Sequence, residues 1–120
     1  GAPSTQEETV ESFVAAFDEA LRTQNLDFLF DRLHPVALAA VPPGVCETFI
    51  ETQFVDAAGL ELAGPVEGPT SITFDTPDGP VVVDDHYTAQ VVLSFQGQSF
   101  DVQGAYALVD GRMHWLSSCS

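Results

Sequence analysis

Val10, Phe13, Val14, Phe17 and Leu21 recur at the spacing of one helix face, while Glu7, Glu8, Glu11, Asp18 and Glu19 fill the other side and the first turn. Ser4 and Thr5 stand three residues before Glu7 and Glu8, a capping-box signature that predicts the helix start there. "NLDFLFDRLHP" predicts a short second helix ended by Pro35. "VALAAV" is a brief apolar run stopped by "PPG". "GVCETFIETQFVDAAG" then sets Cys46, Phe49, Ile50 and Phe54 at helical spacing before a glycine stop, a third helix. From Leu60 onward the period changes to two, punctuated by the turn signals "TPDGP", "FQGQ" and "VDGR". Three helices followed by antiparallel strands predict one α+β domain over residues 1–120, with 1–4 a flexible start.

The alternation also predicts a register. With Gly97-Gln98 and Asp110-Gly111 as two-residue loops, one sheet face carries the rows Tyr87–Leu108–Met113, Ala89–Tyr106–Trp115, Val91–Gly104–Ser117, Leu93–Val102–Cys119 and Phe95–Phe100. The opposite face carries Thr88–Ala107–His114, Gln90–Ala105–Leu116 and Val92–Gln103–Ser118. Both hairpins agree on which face is apolar, and a one-residue slip in either would destroy that agreement.

This register sets Cys119 on the apolar face, where helices must cover the sheet, and Cys46 lies near the start of an amphipathic helix. An even cysteine count and the terminal position of Cys119 favour a Cys46–Cys119 disulfide, the alternative being two separate buried thiols. "GAPSTQEE" reads as the start left after a removed signal, and a disulfide fits the same extracytoplasmic placement.

Charge narrows the partners. Three Lys plus Arg against eighteen Asp plus Glu give a formal net charge of −15, which repels phosphate backbones and argues against nucleic acid. No apolar run reaches the ~20 residues of a membrane-spanning helix.

The helix order, "TQNLDFLFDRLHP", "GVCETFIETQF" and the closing meander "YTAQVVLSFQGQSFDVQGAYALVDGRMHWL" resemble the nuclear transport factor 2-like fold over nearly the whole chain. The resemblance implies helices laid across a strongly curved antiparallel sheet, a half-open cone with a pocket between them. It also implies a secreted or lipoprotein-type bacterial member, in a family that mixes isomerases, dehydratases and cyclases with non-catalytic binding domains.

Several residues are candidates for the site. Tyr87, Tyr106, Met113 and Trp115 would line a cone pocket for a small apolar ligand, or else fill it as core. Catalysis would need a general acid or base, and Asp31 and His34 with Tyr106 are the weak candidates; Asp85 is another, if no bulge at "DDH" reverses it. The alternative for Asp31 and His34 is a solvated helix terminus. His86 and His114 share the outer face on strands separated by a third, about 10 Å apart laterally, so no metal is expected. No cofactor motif occurs. The outer face, with Val92, Ala105, Ala107 and Leu116, is a candidate homodimer interface. The leading expectation is a non-catalytic extracytoplasmic domain for a small apolar molecule; an enzyme and a protein-interaction module with a filled cone are the alternatives.

Overall fold

The computed structural model describes residues 8–119. Thr9 caps α1 (Val10–Thr23): its Oγ1 accepts from the Ser12 N–H at 3.1 Å, and its own N–H donates to Ser12 Oγ at 3.2 Å. The capping box therefore sits later than the predicted one, whose Ser4, Thr5 and Glu7 lie outside the described residues along with the 1–4 start. Glu8 does other work. Its carboxylate takes both Nη groups of Arg32, at 2.7 and 3.2 Å, and the Met113 N–H at 2.7 Å, tying the entry to α1 onto the sheet. Burial pushes that carboxyl up, but the Arg32 and Met113 hydrogen bonds and the charges of Arg32 and Arg112 outweigh it and hold Glu8 below its ordinary range.

Gln24, in the left-handed region at φ 56°, ends α1, and Asn25 caps α2 (Leu26–Asp31). Pro35 does more than end α2. Its fixed φ suits the first turn of a helix, and with His34 as cap it opens α3 (Pro35–Ala39), so part of "VALAAV" is helical and the helices among the described residues number four rather than three. After "PPG" comes α4 (Val45–Gln53). Among the described residues no helix is long and apolar enough to cross a membrane.

The strands β1 (Ala57–Thr76), β2 (Gly79–Phe95), β3 (Gln98–Val109) and β4 (Arg112–Trp115) form one open antiparallel sheet in the order β1-β2-β3-β4. The β3–β4 register is the predicted one. The β2–β3 register is not: the loop is Gln96-Gly97, both at positive φ, so Tyr87 pairs with Tyr106, Ala89 with Gly104 and Val91 with Val102. A mirror-image turn of this type favours glycine at its second position, which is where Gly97 stands. Because the slide is by two residues, every side chain keeps its predicted face. β4 stops at Trp115, so the rows that placed Ser117 and Cys119 in the ladder are not formed.

The helical face of the sheet buries Val10, Phe13, Val14, Phe17, Leu21, Leu29, Leu33 and Ile50 against Val91, Tyr106, Met113 and Trp115. The other face is not simply solvated. Val36 of α3 and the outer part of the β1–β2 hairpin, with Ile72, Phe74 and Val83, close over Ala105, Ala107 and Leu116 in a second, smaller cluster. The hairpin can fold this way because its register breaks between Leu62/Val66, Glu67/Thr70 and Thr70/Ile72, opposite Asp85 at φ 52°. Three residues expected to offer a dimer face, Ala105, Ala107 and Leu116, are thus packed by the chain's own hairpin, and Ala107 and Leu116 are buried.

Cys46 and Cys119 are disulfide-bonded across 73 residues. The bond joins α4 to the segment beyond β4 rather than to the last strand, and both half-cystines are buried. Reduction, or Cys119→Ser, is expected to lower unfolding free energy by about 4 kcal/mol in urea denaturation, from the loop closed in the unfolded chain. An unchanged midpoint under reductant would contradict this.

Candidate functional site

Between α1, the end of α4 and the sheet lies an apolar cavity of about 170 Å³. Phe17, Phe54, Leu60, Val91, Tyr106 and Trp115 form its walls, and Leu93, Val102, Gln103 and Ser117 lie toward its edge. Trp115 is a wall held at several points. Its ring meets Phe17 and Phe54 edge-on at 5.5 and 5.6 Å between centroids, and its Nε1–H donates to the buried Leu29 carbonyl at 2.7 Å. The indole is therefore an apolar surface toward the cavity, its one polar group already used.

Tyr106 is the opposite case. It is buried and packs edge-on against Phe13, yet its hydroxyl makes no hydrogen bond to any described residue. The phenol lies across Gly104: a Cβ at 104 would overlap it. Glycine here gives the ring its place. Burial pushes the Tyr106 phenol up to about 12, so it stays a neutral hydrogen-bond donor at any ordinary pH.

The four pocket residues predicted from the sequence are divided. Tyr106 and Trp115 line this cavity; Tyr87 and Met113 line a separate depression of about 350 Å³ with Glu8, Thr9, Val66 and Leu108, beside the start of α1. The aromatic contributors from the helical half, Phe17 and Phe54, carried a signal in their helical spacing but none that told cavity wall from core.

The catalytic candidates do not converge. Asp31 is exposed at the end of α2. His34, one turn on, caps α3 and turns toward His114, at 6.2 Å between ring centroids, whereas Tyr106 belongs to the main core. Asp85 is exposed at the hairpin bend, where the "DDH" irregularity does occur. No carboxylate or imidazole lines the cavity among the described residues. Nor does any group of three His, Cys, Asp or Glu among them stand in an arrangement able to hold a metal.

No protein-family model, curated protein or solved structure matches the chain.

Tyr106→Phe is expected to change stability by less than about 1 kcal/mol, because no intramolecular hydrogen bond is lost. Gly104→Ala should cost about 1–3 kcal/mol by forcing the ring aside. Urea denaturation of the two variants checks both, and a larger loss for Tyr106→Phe than for Gly104→Ala would contradict the geometry.

Proposed function

We propose that this chain is a non-catalytic extracytoplasmic binding domain of the nuclear transport factor 2-like kind, holding a small uncharged molecule in the cavity between its helices and sheet. The observation that carries this reading is an apolar cavity with the Tyr106 hydroxyl on its wall, bonded to no described residue. The hydroxyl is reachable through the cavity rather than sealed in, so a ligand oxygen entering there could accept from it. At about 170 Å³ the space suits a ligand of one ring or a short chain, since a dry engineered cavity of about 150 Å³ takes benzene.

Charge selects further. The chain carries a net charge of −15, and two of its three arginines are engaged with Asp18 and Glu8, so a carboxylate or phosphate ligand would meet a repelling field. A neutral apolar molecule with one acceptor oxygen, such as a ketone or an ether, fits best. The disulfide supports an oxidising compartment and hence secretion or surface attachment. The lack of a base in the cavity lining among the described residues disfavours the isomerase, dehydratase or cyclase reading. The protein-interaction reading draws on Phe100 and Val102, which are 45% and 42% exposed.

Backbone-amide NMR titration with acetophenone, toluene and benzoate tests the proposal. Acetophenone should shift Val91, Gly104, Tyr106 and Trp115 selectively. Tyr106→Phe should weaken it about fivefold, the equivalent of about 1 kcal/mol, and leave toluene unaffected. Benzoate should not bind. Shifts confined to residues outside the lining, such as Phe100, or absent for every probe, would remove the cavity from the function.

A further inference from the structure

All three histidines of the chain meet on the outer face of the sheet, brought there by three different elements. His86 of β2 and His114 of β4 flank Ala107 in a single row, because β3 pairs Ala107 with both. His34 comes from the α2–α3 connection and stands against His114 at 6.2 Å between ring centroids. Each imidazole is constrained differently. His34 Nδ1 accepts the Val36 N–H at 3.1 Å as the cap of α3, which requires that nitrogen to be unprotonated. His114 Nδ1 lies 2.9 Å from the Arg112 carbonyl, which puts its proton on that nitrogen. His86 is 5% exposed, and its buried Nδ1 has no partner among the described residues.

We propose that His34, His86 and His114 form an acid-sensitive latch, which when neutral keeps α3 and the bent outer part of the β1–β2 hairpin closed over the outer sheet face. Protonating His34 removes the acceptor for Val36 N–H and sets a cation beside His114. Protonating His86 would bury a charge that has no counter-ion. The surrounding charges do not compensate. Arg32 is engaged by Glu8, Asp84 accepts from Ser71 Oγ at 2.7 Å, and Asp75, Asp85 and Arg112 are exposed on the hairpin, its bend and β4. Among the described residues the ion pairs are Arg22–Asp18 and Arg32–Glu8, so no carboxylate pairs with an imidazole.

Burial first, then the charges of His114 and His86, bring His34 down from 6.5 to about 4, and burial lowers His86 as well. An unfolded imidazole takes its proton near pH 6.5, whereas folded His34 does so near 4. The closed form therefore has its full histidine contribution above 6.5 and loses it as pH falls toward 4. The cluster under the latch is small, with Val36, Val83, Ala107 and Leu116 as its buried members, whereas the disulfide braces the larger main core, which takes in Ala37 of α3. Local opening should thus precede global unfolding.

Methyl NMR from pH 7.5 to 4 separates the two events. Signals of Val36, Val83 and Leu116 should move to solvent-exposed values with a midpoint inside that window, while Val14 and Ile50 hold their positions. His34→Asn keeps a capping oxygen for Val36 N–H but takes no proton, and should shift the transition at least one pH unit lower. His86→Leu leaves the cap untouched and should shift it in the same direction. Outer and core methyls moving together, or both variants opening at the wild-type pH, would overturn the latch.

Discussion

Trp115 holds the helical and sheet halves of the molecule together through three separate hydrogen bonds. Its N–H donates to the Arg32 carbonyl at 2.9 Å, its carbonyl accepts from the His34 N–H at 2.8 Å, and its indole donates to the Leu29 carbonyl at 2.7 Å. The α2–α3 connection is thereby added to the edge of β4 as a short parallel bridge between Leu33 and Trp115. Polar backbone groups that would otherwise be orphaned between helix and sheet are satisfied, and the ring is fixed against Phe17 and Phe54. Both the cavity and the histidine group follow from that anchoring: the indole walls the cavity on one face, and the neighbouring His34 and His114 meet on the other.

The alternation of the strands sets those two regions on opposite faces, with Ala105 and Leu116 touching both. Tyr106 and Trp115 face the helices, while Ala107, His114 and Leu116 face away. The disulfide ties α4 to the segment beyond β4, and Cys46 Sγ also lies 3.6 Å from the Ala37 carbonyl of α3. The cavity therefore lies within the more strongly braced half, and the histidines sit over a smaller cluster that can open on its own. Asp18 adds a further tie on the helical side: its Oδ1 accepts the Leu60 N–H at 2.8 Å, so α1 and β1 approach closely at Gly59, where a Cβ would press against the carboxylate.

What the sequence made legible was chiefly local. The apolar stripe of α1 is visible because Val10, Phe13, Val14, Phe17 and Leu21 keep one period, and the Asp110-Gly111 turn because its residues suit positive φ. The Cys46–Cys119 pairing was readable because the face of the last strand could be followed toward the terminus, even though β4 ends earlier. Where two local solutions competed, the reading slipped. Gln96 rather than Gln98 shares the turn with Gly97, and Pro35 is as good a helix opener as a helix stop. Long-range closure left no trace in the pattern. Nothing local announces that the β1–β2 hairpin bends back over Ala107, or that His34 crosses to join His114, and so the outer face read as open and Asp31, His34 and Tyr106 as potential neighbours. Tyr87 and Tyr106 are direct cross-strand partners, yet they line different depressions; their separation depends on how helix ends fill the space above the sheet.

The central claim is that the Trp115-walled cavity is built to be occupied. A native mass spectrum of the protein purified under gentle conditions from the cells that make it tests this most directly. Occupancy predicts a single non-covalent adduct, small enough for about 170 Å³, that is present in the native spectrum and lost on denaturation. A bare native mass that also stays bare in saturating acetophenone would contradict it and make the aromatic cavity a gap in the core rather than a site.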